Sequence, residues 1–227
     1  MKKIWNFIGR LALYLIGLLL IALGINVSKM CALGISPVSS IPRALEVISG
    51  EAISLGTMVI IVYCLLVLAQ FIVLRRDFKL KNILGVPVAI IFGWIVDMVG
   101  INPNVSLHLL ADFPRPETYI LKLVYLIASI LLIGIGVYIY LKAKFVAMPA
   151  EGLAAAIAQK TGKTFGNCKT AVDVTLILIA LILQVIFLGG LNSFSGTNVV
   201  VREGTVLSAI CVGQVVKFIT KILTKKE

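Results

Sequence analysis

The sequence predicts an all-α integral membrane protein: six transmembrane helices forming two inverted three-helix repeats, each with a short interrupted or re-entrant helix. Three observations predict it. Apolar runs approach or exceed the roughly 20 residues that a helix needs to cross hydrocarbon. Lys and Arg gather between alternate runs, as they do in cytoplasmic loops. Two proline-opened apolar elements, ALGISPVSSIPRAL at 32–45 and FVAMPAEGLAAAI at 145–157, recur after the first and fourth runs.

Of the 227 residues, 60% are apolar and only 14% charged. A water-soluble globule carries about 25% charged residues, so this chain lacks the polar surface to cover itself. The net charge of +11 does not point to nucleic acid, because the basic residues fall between apolar runs and form no aromatic-rich basic surface. The opening MKKIWNFIGRLALYLIGLLLIALG has an apolar run too long for a cleaved signal peptide, and is expected to remain as the first membrane helix. Cys31, Cys64, Cys168 and Cys211 stand singly. They read as small buried hydrophobes, not as a metal site or a disulfide framework.

Spanning helices are expected at about 8–30, 53–74, 83–100, 119–142, 168–189 and 204–223. With the amino terminus inside, alternation places 16 of the 21 basic residues on the cytoplasmic side. Lys29, Arg43, Arg115, Lys122 and Arg202 remain outside. Both termini are therefore expected in the cytoplasm of a bacterial plasma-membrane protein, with the segment from Ile101 to Thr118 as an external connector.

That connector separates two similar halves, 8–100 and 119–223, within one membrane domain. Pro37 and Pro149 are 112 positions apart, and the same shift carries Gly24 onto Gly136. SLGTMVI from Ser54 resembles TFGNCKTAV from Thr164, and GVPVAIIFG from Gly85 resembles GTVLSAICVG from Gly204. Each half holds three crossings, an odd number, so the second copy must enter from the opposite side, as in many transporters.

Within each half a short helix is expected, at about 37–49 and 149–161. Ser36 and Pro37 suit a helix start, since serine can cap free amides and proline at the first position gives up no needed donor. Pro42 is expected to weaken or bend the first of these helices. Amides at a helix start inside a membrane are tolerated only where they line protein or a watery cavity, and can hold a charged ligand. The candidate substrate-binding residues are Ser36, Pro37, Ser39, Pro149, Glu151, Gly152 and Asn167. Glu151 either caps its own helix or reaches a central cavity, where it would suit a proton, a cation or an amine. Asp173, four residues after Lys169, is the candidate coupling residue together with Glu151. Asp97 is expected near headgroup water. Asn26, Gln70, Gln184 and Gln214 supply interhelical hydrogen bonds. His108 is a connector residue, and no nucleophile, metal or nucleotide motif stands out. No enzyme, metal or cofactor is therefore expected.

The proline elements and the tail resemble the YczE/YyaS/YitT group of bacterial membrane proteins. The resemblance rests on LGISPVS from Leu33, MPAEGL from Met148, and Leu188-Gly189-Gly190 followed by Gly204-Thr205 and Gly213. Serine follows Pro37-Val38 where many relatives carry Trp-Asp. The resemblance implies a multipass plasma-membrane protein suspected of transport, without established site residues. The expected function is a small-solute secondary transporter or exporter, its solute amine-bearing or proton-coupled and its expected partners the lipid bilayer and a second copy in a homodimer. The alternative is a non-transporting membrane accessory or assembly protein, and a channel comes third.

Overall fold

In the computed structural model the described residues are 2–100, 110, 113–188 and 199–224. His108, most of the connector, and Gly189-Gly190 lie outside them. The described chain is helical, with no strand among these residues. It comprises α1 (Lys2–Cys31), α2 (Pro37–Ile48), α3 (Leu55–Leu74), the single turn α4 (Leu80–Ile83), α5 (Gly85–Val99), α6 (Tyr119–Ala143), α7 (Pro149–Thr161), α8 (Phe165–Phe187) and α9 (Glu203–Thr224).

Helices α1, α3, α6, α8 and α9 are long and apolar enough to cross a membrane, whereas α5 is apolar but only 15 residues long. Large apolar side chains such as Leu65, Ile72, Ile120, Ile186 and Phe218 are exposed along their outer faces. Such a surface is stable in hydrocarbon and not in water. The chain is a multipass membrane protein.

The bundle is centred on an antiparallel crossing of α1 and α6. A Cβ on Gly17 would lie 2.7 Å from the Tyr140 amide nitrogen, and one on Gly136 would lie 2.8 Å from the Gly17 carbonyl. One on Gly24 would stand 3.0 Å from the Ser129 carbonyl. Small residues let the two backbones touch, and dispersion between closely packed helices replaces the hydrophobic drive that lipid removes. Around this pair, α5 packs on α1 and α9 on α6. Helix α3 packs on α5, while α2 packs on α8 and α7 on α3.

Gly204 contacts Leu33 and Leu126, and Gly134 faces Val215. Helix α9 therefore runs parallel to α6 and ends where α1 begins, which puts both termini at one end of the bundle. Pro42 lies inside α2, yet the helix is continuous and the proline is buried. Asp97 is half-buried near the end of α5. Its carboxylate accepts hydrogen bonds from the Gly56 amide (2.8 Å) and the Ser54 hydroxyl (2.6 Å), so it holds the start of α3.

Candidate functional site

The two short helices begin inside the bundle. Helix α2 has 12 residues and α7 has 13, which at 1.5 Å per residue is under 20 Å and too short to cross hydrocarbon. Each opens on a buried proline, Pro37 and Pro149, and neither has a side-chain cap at its N-terminus. Helices α3 and α8 each contact both of them.

At the start of α2 the polar groups are hydroxyls. Ser36, Ser39 and Ser40 are buried. Ser36 Oγ donates to Ser39 Oγ at 3.3 Å, and Ser40 Oγ donates to the Pro37 carbonyl at 2.6 Å. Ser40 also reaches the Leu176 carbonyl of α8, at 3.4 Å. These hydroxyls are mutually satisfied and present no net charge.

The start of α7 is charged. Glu151 does not cap its own helix; its carboxylate faces Lys169 of α8 at 3.5 Å, and Lys169 donates to Asp173 at 2.8 Å. The Lys169–Asp173 pair is the one the four-residue spacing predicts. The three side chains are 17–23% exposed, and together they carry two negative charges against one positive. The bundle core also supplies phenols, since Tyr14, Tyr63 and Tyr140 are all buried. Tyr14 donates to the Val146 carbonyl at 3.0 Å. The Tyr140 hydroxyl, on a side chain 1% exposed, has no hydrogen-bond partner among the described residues. A buried hydroxyl without a partner is costly.

Gly152 leaves room for Gln70, since a Cβ there would lie 2.8 Å from the Gln70 amide atoms. Gln70 in turn donates to the Pro149 carbonyl at 2.9 Å, fixing α7 to α3. The structure therefore brings Pro149, Glu151, Gly152 and Asp173 into one cluster. It sets Ser36, Pro37 and Ser39 in another, at the start of α2. Asn167 is exposed and joins neither. Asn26 and Gln184 bridge as interhelical residues should, Asn26 to the Val96 carbonyl and Gln184 to the amides of Val200 and Val201. Gln214 is exposed.

Sequence reasoning missed a third cluster. Lys29 meets Glu46 at 2.6 Å, Arg43 meets the other Glu46 oxygen at 2.5 Å, and Arg43 also reaches Glu51 at 3.1 Å. Arg43 and Glu46 are each 4% exposed. The three-residue spacing of Arg43 and Glu46 on α2 was a readable signal; the arrival of Lys29 from α1 was not. This network is neutral. The α7 cluster is the one with an uncompensated charge.

A cleft of about 390 Å³ opens at the end of the bundle where α1 begins. It is lined by Phe7 and Arg10 of α1, Asn82 and Leu84 before α5, and Lys144 to Ala147 before α7. Val146, whose carbonyl accepts from Tyr14, is one wall of this cleft.

Comparison with known proteins gives a family profile of unknown function, DUF6198, matching residues 8–221. The chain is 26% identical over 171 residues to the uncharacterised protein YyaS of Bacillus subtilis (strain 168), covering 75% of this chain and 79% of that protein. That similarity bears out the YyaS part of the expected resemblance. No solved structure matches.

Proposed function

Because the chain belongs to the DUF6198 family of unknown function, its activity must be read from its own residues, and we propose that it is a small-solute secondary transporter or exporter. It would work by alternating access about a site between two inverted repeats. The observation that carries this reading is the α7 cluster: Glu151, Lys169 and Asp173 leave one negative charge inside an apolar bundle, in a core that also buries the Tyr140 side chain. An ionisable group in a membrane is expensive and marks a proton or ion pathway by default. One proton, or the ammonium of an amine-bearing solute, neutralises the cluster, so we assign Glu151 and Asp173 to coupling.

The repeat reading draws support from the packing. Exchanging α1 with α6, α2 with α7, α3 with α8 and α5 with α9 turns the α1–α5 contact into α6–α9, and α2–α8 into α7–α3. It turns α2–α3 into α7–α8, and α2–α9 into α7–α5. At the central crossing, the 112-residue shift carries the Gly17–Gly136 approach onto Ser129–Gly24, which also touch. The pairing α3–α5 has no counterpart of similar extent between α8 and α9. We count α5 as the sixth span, and the distribution of Lys and Arg supports the reading that both termini lie in the cytoplasm of a bacterial plasma membrane. No covalent chemistry is assigned to the chain.

Glu151→Gln removes the excess charge and is expected to abolish or uncouple transport in proteoliposomes. Unchanged uptake of an identified solute would reject the assignment. Helix α9, which packs chiefly on α6 and, less extensively, α2 and leaves much of its apolar surface uncovered, favours a second reading: an accessory protein that offers this helix to a membrane partner. Thermal stabilisation by solutes, screened over amines, amino acids and anions, separates the two. Stabilisation by one class supports transport; none across the panel supports the accessory role.

A further inference from the structure

The Leu33–Ile35 link meets Val200 and the first turn of α9 at the end of the bundle opposite the cleft. The Ile35 amide donates to the Val200 carbonyl at 3.2 Å, and the Gly204 amide donates to the Leu33 carbonyl at 2.9 Å. Leu33, Ile35, Val199, Val200 and Val201 are all buried. Glycine makes the fit: Gly34 has φ +106°, and a Cβ on it would strike the Arg202 amide nitrogen at 2.9 Å. This seam is shut.

The internal correspondence says where its mate lies. The 112-residue shift that carries Pro37 onto Pro149 carries Leu33–Ile35 onto Phe145–Ala147. The match of Gly204 with Gly85 carries the Val200–Gly204 stretch onto residues 81–85. Phe145, Val146, Ala147, Asn82 and Leu84 are walls of the 390 Å³ cleft. Where Leu33 and Ile35 are hydrogen-bonded across the closed seam, the Phe145 carbonyl and the Ala147 amide make no hydrogen bond among the described residues.

Resting on the alternating-access reading, we propose that these two seams are the gates. The structure then shows the inward-facing state, with the outer gate Leu33–Ile35/Val200–Gly204 closed. The inner gate Asn82–Gly85/Phe145–Ala147 stands open. In the opposite state the inner backbone groups pair and the outer ones part. The gates are not equivalent. Val146 occupies the place of Gly34, and a β-branched residue resists positive φ, so the inner seam closes less tightly and the inward-facing state predominates.

The test uses the full chain in liposomes, with its four native cysteines replaced by serine. One pair, Ile35→Cys with Val200→Cys, reports the outer seam; the other, Asn82→Cys with Ala147→Cys, reports the inner one. The outer disulfide is expected in most molecules and the inner one in a minority. With all four substitutions in one chain, either disulfide should form but never both. Both disulfides in one molecule, or an inner pair that never closes, would overturn the proposal.

A separate arm avoids the buried cysteines. Gly34→Ala should open the outer seam and shift the population, so that labelling of Ala147→Cys by an impermeant maleimide slows by about threefold or more. Unaltered labelling in a folded, monodisperse protein counts against the gates. Mutual exclusion that no screened solute biases supports the gates and counts against transport. Solute uptake without mutual exclusion overturns the gates and leaves transport standing.

Discussion

Gly17 illustrates how a single residue sets the centre of the bundle. Its missing side chain is replaced by the backbone of Tyr140 and Gly136, which cannot swing aside as a long side chain can. Gly17→Ala is therefore expected to cost about 1–3 kcal/mol, the usual penalty for overpacking, read as a lower thermal midpoint in detergent. An unchanged midpoint would show that α1 and α6 can separate freely. At the rim, Glu51 answers to a different force. Partial burial raises the pKa of its carboxyl, but the hydrogen bond and charge of Arg43 outweigh that and hold it below the ordinary 4.5. Lowered in the folded state, the group contributes stability that is present above its unfolded value and lost as pH falls through the folded one. Acidifying through that window should lower the thermal midpoint of the native chain more than that of Glu51→Gln; equal losses would remove Glu51 from the account. Lys169 and Asp173 were readable as a pair because their spacing lies on one helix face. Glu151 as their neighbour was not readable, because α7 and α8 had to dock first.

At the scale of the element, what matters is how each helix is started. Helix α3 has its own cap, Ser54, whose hydroxyl accepts from the Thr57 amide at 3.2 Å. It has a second from α5, where the Asp97 carboxylate receives the Gly56 amide. A negative charge at a helix N-terminus complements the dipole. Asp97→Ala is expected to cost about 0.5–2 kcal/mol, the range for lost caps, while leaving the α7 cluster untouched. A folded, equally stable variant without activity would instead make Asp97 part of the site. The proline starts of α2 and α7 were legible, because Pro37 and Pro149 end one conformation and begin another. Pro42 was expected to weaken or bend α2; the helix runs through it unbroken, with one backbone bond given up and the proline buried.

For the molecule as a whole, the basic residues give a prediction about orientation. If Lys and Arg set the topology, reporters fused to either end should be active only in the cytoplasm. Their shared end of the bundle requires that both agree; opposite results would break the fold as well as the orientation. The exposed apolar girdle and the close α1–α6 crossing describe a protein held by helix packing within lipid.

The sequence alone determined the chemistry of the solvent. Apolar runs of membrane length, loops that collect positive charge, and two helix starts placed 112 residues apart all depend on local composition and spacing, which survive without any knowledge of contacts. Only the tertiary structure decided which charges remain uncompensated. Glu46 is neutralised because Lys29 and Arg43 converge on it, whereas Glu151 and Asp173 must share Lys169. Electrostatic balance depends on distances of a few ångströms between residues far apart in the chain, and no spacing rule along one helix can supply them.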